Sequence, residues 1–139
     1  MCLRRAKKIE ANRDIKCYKI VLKKDPVKGR KLFSSPYYSY TWIMGHTEAL
    51  FEPIEVHENL NGLVVNGGVF HAFKHFDDAR YYASYLFSDG LSHPVIVECT
   101  IPASARAVYE GYTETCLIPA FFPSYASTEM SVNGVVWEC

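Results

Sequence analysis

The chain has 139 residues, of which 49% are hydrophobic, 22% charged and 14% aromatic, a composition typical of a globular domain with one core. No stretch approaches the roughly 18 apolar residues of a membrane span, and the charged start lacks the apolar segment of a signal peptide, so we expect a cytoplasmic protein. Residues 1–31 hold 12 of the 15 Lys and Arg, whereas residues 32–139 are acidic. This asymmetry indicates either an anionic partner or packing of the basic segment against the acidic remainder or a second subunit.

We predict a basic N-terminal arm over residues 1–13, either mobile or a short helix, followed by a single α+β domain over residues 14–139. Residues 15–22 are rich in β-branched and apolar side chains and predict a strand, which the turn-forming residues 25–29 end. The aromatic run at residues 35–42 is interpreted as a strand or a surface loop.

The middle of the chain predicts a strand, a tight turn and a second strand, followed by the main helix. Residues 63–65 and 69–73 are apolar and flank the turn sequence Asn66-Gly67-Gly68. The helix is predicted from apolar residues at helical spacing, with an acidic cap at its start and a glycine at its end. These residues are Phe76, Ala79, Ala83, Leu86 and Phe87, with Asp77 as the cap and Gly90 as the end.

The C-terminal third predicts a central strand, an ordered loop and a hairpin. Residues 95–101 are densely apolar and end at Pro102. Residues 112–125 carry two prolines around Phe121 and Phe122, which favours a loop. Asn133-Gly134 lies between two short strand-like segments and favours a hairpin. With about six short strands and one main helix, the fold class is α+β, with a small, mostly antiparallel sheet or sheets.

Neither the cysteines nor the histidines form a pattern typical of a metal, a cofactor or a nucleophile. The five cysteines are odd in number and widely spaced, so we interpret them as reduced thiols, with Cys99 in the core. His71 and His75 are four residues apart, but His71 falls on a strand and no third ligand has suitable spacing. We therefore predict no metal and no cofactor.

One group of residues has the chemistry of a nucleotide site. Aromatic rings stack on bases, and Lys and Arg side chains bind phosphate. The rings are Tyr37, Tyr38, Tyr40 and Trp42, and the cations just before them are Lys28, Arg30 and Lys31. The alternative is that this aromatic run is part of the core.

Several short motifs resemble a scattered group of small uncharacterised proteins from gut bacteria and their phages. That group shows a GFHSF-like strand, a helix and a VKCxIP-like strand in the same order. The resemblance covers residues 15–132 and implies no particular activity. In this chain the motifs are an opening MCL, CYKI, SPY, GGVFHAF, VIVECTIP and YAS.

The order of elements also remotely resembles the ADP-ribosyltransferase-like architecture. That resemblance implies a first-strand residue at Lys19 or Tyr18, a second-strand residue at His71 and a late-strand glutamate at Glu129. In such enzymes the glutamate stabilises the positive charge that develops as the glycosidic bond breaks. Only Glu129 is of the expected type, which favours a binding site without the chemistry; a solvated residue at a strand start is the alternative for Glu129.

Three hypotheses follow, in this order. The first is a non-catalytic binding protein for a small nucleotide-like anion, which in a phage would sequester a host immune signal. The second is a protein-interaction or oligomerisation module using Phe121 and Phe122, and the third is an ADP-ribosyltransferase-like enzyme using Glu129, His71 and Lys19. We expect no membrane partner, and the basic segment lacks a nucleic-acid-binding module beside it. The predicted ligand-binding residues are Lys19, Arg30, Lys31, Tyr37, Tyr38, Tyr40, Trp42, His71 and Glu129.

Overall fold

A computed structural model describes residues 3–27, 30–34, 41–43, 45–48, 55–59, 62–67, 69–86, 94–114 and 121–138. These residues form twelve strands and one helix, compared with the six or so strands predicted. The strands are β1 Leu3–Ile9, β2 Ile15–Val27, β3 Arg30–Ser34, β4 Thr41–Ile43, β5 Gly45–Glu48, β6 Glu55–Asn59, β7 Gly62–Gly67, β8 Phe70–Phe73, β9 Pro94–Ile101, β10 Val108–Glu114, β11 Phe121–Ser127 and β12 Glu129–Glu138, and the helix is α1 Phe76–Leu86.

The described strands form one antiparallel sheet in the order β5-β12-β9-β2-β8-β11-β10-β1-β7-β6, with β3 paired to β2 and β4 to β3. The predicted α+β class with a mostly antiparallel sheet and one main helix is therefore confirmed at that level. Strand β9 lies between β12 and β2 and is mostly buried, as its high density of apolar residues predicts.

Helix α1 begins close to the predicted position. Its first backbone hydrogen bond runs from the N–H of Ala79 to the carbonyl of His75, so His75 is the residue that precedes the first turn. Asp77 is therefore not the cap; it lies inside the first turn, where its negative charge interacts favourably with the helix dipole. The predicted end at Gly90 lies outside the described residues.

The two faces of the sheet bury different sets of side chains, because successive residues of a strand point to opposite sides. One face, here called the helix face, packs against α1. Its buried residues are Ile20, Phe73, Ile96 and Phe122 from the strands and Ala79, Tyr82 and Ala83 from the helix. The other, here called the second face, buries Cys17, Val21, Phe70, Ala72, Val95, Val97, Cys99, Ile101, Val108, Tyr125, Met130 and Val132.

The interpretation of residues 1–13 as a mobile arm or short helix is wrong for residues 3–9. These residues form β1, which pairs with β10 on one side and β7 on the other. Leu3 and Ala6 are buried in a small cluster with Val65. The strand was missed because its sequence has only three apolar residues, and its stability comes from two neighbouring strands that are distant in sequence.

The loop predicted over residues 112–125 is also wrong where the structure describes it. Residues 108–114 and 121–127 are paired antiparallel strands, with Phe122 opposite Thr113. Pro123 has no N–H to donate, but its carbonyl accepts a 2.9 Å hydrogen bond from the backbone N–H of Lys74. Pro123 therefore did not exclude a strand here, because the neighbouring strands supply the remaining hydrogen bonds.

Asn133-Gly134 does not form the predicted hairpin turn but a β-bulge within the single strand β12. The register shifts between Val132 and Gly134, which makes Asn133 an extra residue in the pairing with β9. The side-chain Nδ2 of Asn133 donates a 2.7 Å hydrogen bond to Oγ1 of Thr100 on that neighbouring strand. The Asn-Gly sequence that suggested a turn thus forms a bulge whose asparagine side chain hydrogen-bonds to the neighbouring strand.

Strands β7 and β8 exist as predicted, but they do not pair with each other. Strand β7 pairs with β1 and β6, whereas β8 pairs with β11 and with β2. In the described parts of the chain, no helix is long and apolar enough to cross a membrane.

Candidate functional site

Lys19 and His71, two of the predicted site residues, come together in the interior of the protein. Strand β2 pairs with β8 at the single pair Tyr18 and Phe73. Next to that pair, the Nζ of Lys19 donates a 2.8 Å hydrogen bond to the backbone carbonyl of His71. Only 9% of Lys19 is exposed, so its ammonium group is held inside the protein by a backbone partner.

Burial lowers the pKa of Lys19 from 10.5 to about 8, because the charged form loses its hydration. The neighbouring thiols of Cys99 and Cys17 partly oppose this by favouring the ammonium. A buried amine with a pKa this close to neutrality is one of the features by which functional sites are recognised. Here the amine already has a hydrogen-bond acceptor, which is equally typical of a structural role.

His71 is held as a neutral imidazole. Burial is the main reason that its pKa falls from 6.5 to about 3, and the positive charge of Lys19 lowers it further. Its Nε2 lies 3.3 Å from the carbonyl oxygen of Val65 on β7, a contact that favours the protonated ring but is outweighed. At neutral pH His71 therefore carries no charge with which to bind an anion.

Cys17 and Cys99 lie directly opposite each other on β2 and β9, and both are buried free thiols. Burial raises the pKa of Cys99 to about 12 and that of Cys17 well above its ordinary value. Because the thiolate is the nucleophile, these thiols are poor candidates for covalent chemistry. The prediction that Cys99 is a core residue is confirmed.

Glu129 is not part of this interior group. Lys19 lies opposite Val97, and Val97 lies opposite Val135 on β12. Glu129 lies six residues before Val135 on that strand, a separation of roughly 15–20 Å along the sheet at about 3.3 Å per residue. The three residues that the ADP-ribosyltransferase resemblance implies are thus placed in two different parts of the sheet.

The remaining predicted ligand-binding residues fall where little or nothing is described. Arg30 and Lys31 lie on β3 and Trp42 on β4, where the backbone alone is described. Tyr37, Tyr38 and Tyr40 lie outside the described residues. The assignment of all of these residues to a ligand site stays a prediction.

A different combination of cations and rings is present on the outside of the sheet. Arg5 lies at a bulge in β1, where the register with both neighbouring strands shifts. Its φ angle of 51° is in the left-handed region, which non-glycine residues rarely adopt. Its guanidinium carbon lies 5.8 Å from the centre of the Phe121 ring, within the range of a cation–π contact.

Gly111 makes room for this bulge. A Cβ atom at Gly111 would lie 2.7 Å from the backbone oxygen of Arg4 and 3.1 Å from the Cα of Ala6. Since two of the nearest atoms belong to the backbone, a side chain at this position would push β1 away. The close approach of β1 and β10, and with it the position of Arg5, depends on glycine here.

The rings near Arg5 are exposed. Phe122 packs on the helix face, so Phe121 points to the second face, where it is 55% exposed. Tyr112 is 40% exposed on the same face, opposite Arg4 on one side and Pro123 on the other. We call this set the basic–aromatic surface; it consists of Arg4, Arg5, Lys7, Tyr112 and Phe121.

Sequence reasoning missed this surface although it noticed its parts. The basic N-terminal segment and the adjacent phenylalanines were both recognised, but as a free arm and a loop. Only the strand pairing places Arg5 beside Phe121, which is 116 positions later in the sequence. A strand predicted over residues 3–9 would have allowed this pairing to be considered, but the strand pattern there is weak because only three of the residues are apolar.

No group of three or more His, Cys, Asp or Glu in the described ranges is arranged to hold a metal ion. No family model, curated protein or solved structure matches the chain.

Proposed function

We propose that the protein binds a small nucleotide-like anion on the basic–aromatic surface without chemically changing it. The observation that carries this proposal is the guanidinium of Arg5 over the exposed ring of Phe121. A phosphate accepts two parallel hydrogen bonds from a guanidinium, and a base stacks on an aromatic ring. These two groups side by side therefore match the two halves of a nucleotide.

The unusual backbone of Arg5 supports the same proposal. A left-handed non-glycine residue costs of order 1 kcal/mol or more, and such strain is concentrated at functional sites. Here the strain accompanies a bulge that holds an arginine beside an exposed ring. In a protein from a phage, as the motif resemblance implies, the bound ligand would be a host immune signal that the protein sequesters.

Thermal stability in the presence of candidate ligands tests the proposal. The panel contains inorganic phosphate, AMP, NAD, ADP-ribose and cyclic dinucleotides, each at millimolar concentration. A ligand that binds only the folded state raises Tm, and a concentration of 100 times Kd stabilises by about 2.7 kcal/mol. We expect a rise with at least one nucleotide that exceeds the rise with phosphate alone.

Two matched pairs of variants then locate the site. Lys7 lies on the face that bears Tyr112, whereas Lys8 points to the opposite face of the same strand. We expect Lys7→Gln and Phe121→Leu to weaken nucleotide binding, and Lys8→Gln and Tyr85→Leu to leave it unchanged. Tyr85 is 50% exposed on α1, so it controls for the loss of an exposed ring. Equal effects within each pair, or no stabilisation by any nucleotide, contradict the proposal.

The interaction module is the second candidate, because exposed rings also mark contacts between proteins. Phe122 is 8% exposed and Phe121 is 55% exposed, so Phe121 is the suitable test residue of the two. This candidate predicts that Phe121→Ser lowers the native mass measured by light scattering at high concentration. A mass equal to one chain for both proteins argues against it.

An ADP-ribosyltransferase-like fold and activity stay predictions of the remote resemblance. They are tested by incubating the protein with labelled NAD. Neither hydrolysis nor labelling of a target, or activity that Glu129→Ala leaves unchanged, removes this hypothesis. The prediction that Lys19 binds the ligand is tested by the same nucleotide panel with Lys19→Met.

A further inference from the structure

We infer that the ligand of the basic–aromatic surface contains two bases joined through phosphate, and that one base stacks on Phe121 and the other on Tyr112. This inference rests on the proposed function and adds to it the class of ligand. It is drawn from the presence of two exposed rings where a mononucleotide would need one.

The two rings are neighbours on one face of the sheet. Tyr112 pairs with Pro123, and Phe121 lies two residues before Pro123 on the same strand. Tyr112 and Phe121 are therefore diagonal neighbours on adjacent strands, and the Cα atoms of such neighbours are about 7–8 Å apart. Both rings are substantially exposed, at 40% and 55%. Two flat surfaces at this separation can be covered together by two bases of one ligand.

A positively charged side chain lies near each of the two rings. Arg4 lies opposite Tyr112, and Arg5 lies over Phe121. Lys7 follows on the same face, opposite Glu110. A phosphate between two bases would thus have a positive side chain near each ring.

The acids of this face do not cancel that charge. Glu110 lies on this face of strand β10, opposite Lys7. It contacts the Nζ of Lys74 at 3.7 Å. Among the described side chains named on this surface, Arg4, Arg5, Lys7 and Lys74 are positive and Glu110 is negative, a balance that favours an anion.

Stacking of a second base provides the measurable consequence. Each base stacked on an aromatic ring contributes about 5- to 150-fold in affinity. A ligand with two bases is thus expected to bind more tightly than the matching mononucleotide by a factor in this range. The shared chemistry is the two-base phosphodiester, which occurs in a linear strand and in a cyclic dinucleotide.

Isothermal titration calorimetry at one fixed salt concentration tests the inference with two matched pairs, thymidine 5′-monophosphate with the linear dinucleotide pTpT and AMP with cyclic diadenylate. We expect pTpT or cyclic diadenylate to bind at least fivefold more tightly than its own monophosphate, and the dinucleotide with the larger advantage identifies the source. Tyr112→Leu is expected to reduce that advantage to less than twofold, while Tyr85→Leu on α1 leaves it intact.

An advantage below fivefold for both dinucleotides overturns the inference but leaves the proposed function in place. An advantage that survives in Tyr112→Leu overturns it as well, because the second base then stacks elsewhere. Failure of both dinucleotides to bind while another nucleotide of the thermal panel binds also overturns the inference alone, whereas binding of no nucleotide at all overturns the proposed function itself. A circular dichroism spectrum of Tyr112→Leu that matches the wild type shows that the variant is folded and that the comparison is valid.

Discussion

Lys19 and Arg5 both belong to the basic N-terminal part of the chain, yet the structure uses them in opposite ways. Lys19 is buried, and its Nζ donates to a backbone carbonyl at 2.8 Å. Arg5 is exposed, and its guanidinium lies over a ring that is itself exposed. The difference shows that a cation's position in the sheet, rather than its place in a basic segment, decides whether its charge is accessible from solvent.

The same contrast separates the surroundings of the two cations. Around Lys19 lie thiols and an uncharged histidine, all of them buried. Around Arg5 lie rings and further cations that face outward. We therefore expect changes in the interior to alter folding and its dependence on pH, and changes on the basic–aromatic surface to alter ligand binding.

The largest expected effect is a loss of stability in acid caused by His71. Its pKa is about 3 in the folded protein and 6.5 as the ordinary value. The folded state thus resists a proton that the unfolded chain accepts, so this contribution is complete above pH 6.5 and is lost as the pH falls towards 3. At about 1.4 kcal/mol per pH unit the full loss is about 5 kcal/mol. Urea unfolding from pH 7.5 to pH 4 measures about 3.5 kcal/mol of this loss, the part that falls between pH 6.5 and pH 4.

His71→Gln provides the comparison for this titration, because it removes the imidazole and leaves the other ionisable groups in place. We expect the free energy of unfolding to fall more steeply in the wild type than in His71→Gln over this range. Parallel curves for the wild type and His71→Gln would mean that the ring is accessible to protons in the folded state.

Lys19 is expected to change stability in the same direction as His71, with stability rising as the pH rises, but over an alkaline range and by a somewhat smaller amount. The folded pKa of about 8 lies below the ordinary 10.5, so below pH 8 the folded state carries a charged, poorly hydrated ammonium. As the pH rises from 8 to 10.5 the folded state releases this proton first. The unfolded chain then binds more protons, and stability rises by about 3 kcal/mol relative to Lys19→Met.

The difference between the wild type and Lys19→Met is the quantity to measure, because Cys17 and Cys99 act in the opposite direction. Their pKa values are raised by burial, so their ionisation in the unfolded chain lowers stability in both proteins. This shared loss cancels in the difference. A difference that does not change between pH 7.5 and 10.5 contradicts the assignment of Lys19 to the interior.

The sequence predicted those parts of the fold that depend on local pattern. Strand β9 is dense in apolar residues and was located almost to the residue, and α1 has apolar residues at helical spacing, which located its start. Strand β1 was missed because its two neighbours, β10 and β7, provide the hydrogen bonds that hold it. Local composition carries no information about partners so far along the chain.

The candidate site was harder to predict than the fold, because it depends on register. The pairing of Lys19 with the carbonyl of His71 brings together residues 52 positions apart, and both had been singled out as binding residues. Their burial, which changes their chemistry, was not visible in the sequence. Arg5 was not singled out at all, because its conformation arises from a bulge that no sequence pattern marks.

Gly111→Ala is expected to destabilise the protein by about 2 kcal/mol, within the range for overpacking a close contact. The new Cβ would meet the backbone oxygen of Arg4 at 2.7 Å. Gly134→Ala is the matched control, since a Cβ at that strand position meets nothing within 4 Å. We expect Gly134→Ala to change stability by less than about 1 kcal/mol in either direction. Chemical denaturation of both variants measures the difference.

Gly111→Ala also connects the fold to the surface, because a displaced β1 carries Arg5 with it. We expect nucleotide binding to weaken in the folded fraction of this variant, although Gly111 offers no side chain to a ligand. Full stability in Gly111→Ala would show that β1 and β10 are not held as closely as the structure has them.

Arg5→Gly gives the smallest expected effect on stability and the clearest separation of the two regions. Glycine adopts a φ of 51° without strain, which favours the variant by about 1 kcal/mol, while the lost cation–π contact and the greater freedom of the unfolded chain oppose this by a similar amount. Stability in urea is therefore expected to stay within about 1 kcal/mol of the wild type. Nucleotide binding is expected to fall at least tenfold, because the guanidinium beside Phe121 is gone. A variant that is equally stable and still binds nucleotide would show that the bulge has another purpose, since neither the fold nor the ligand would then require arginine at this strained position.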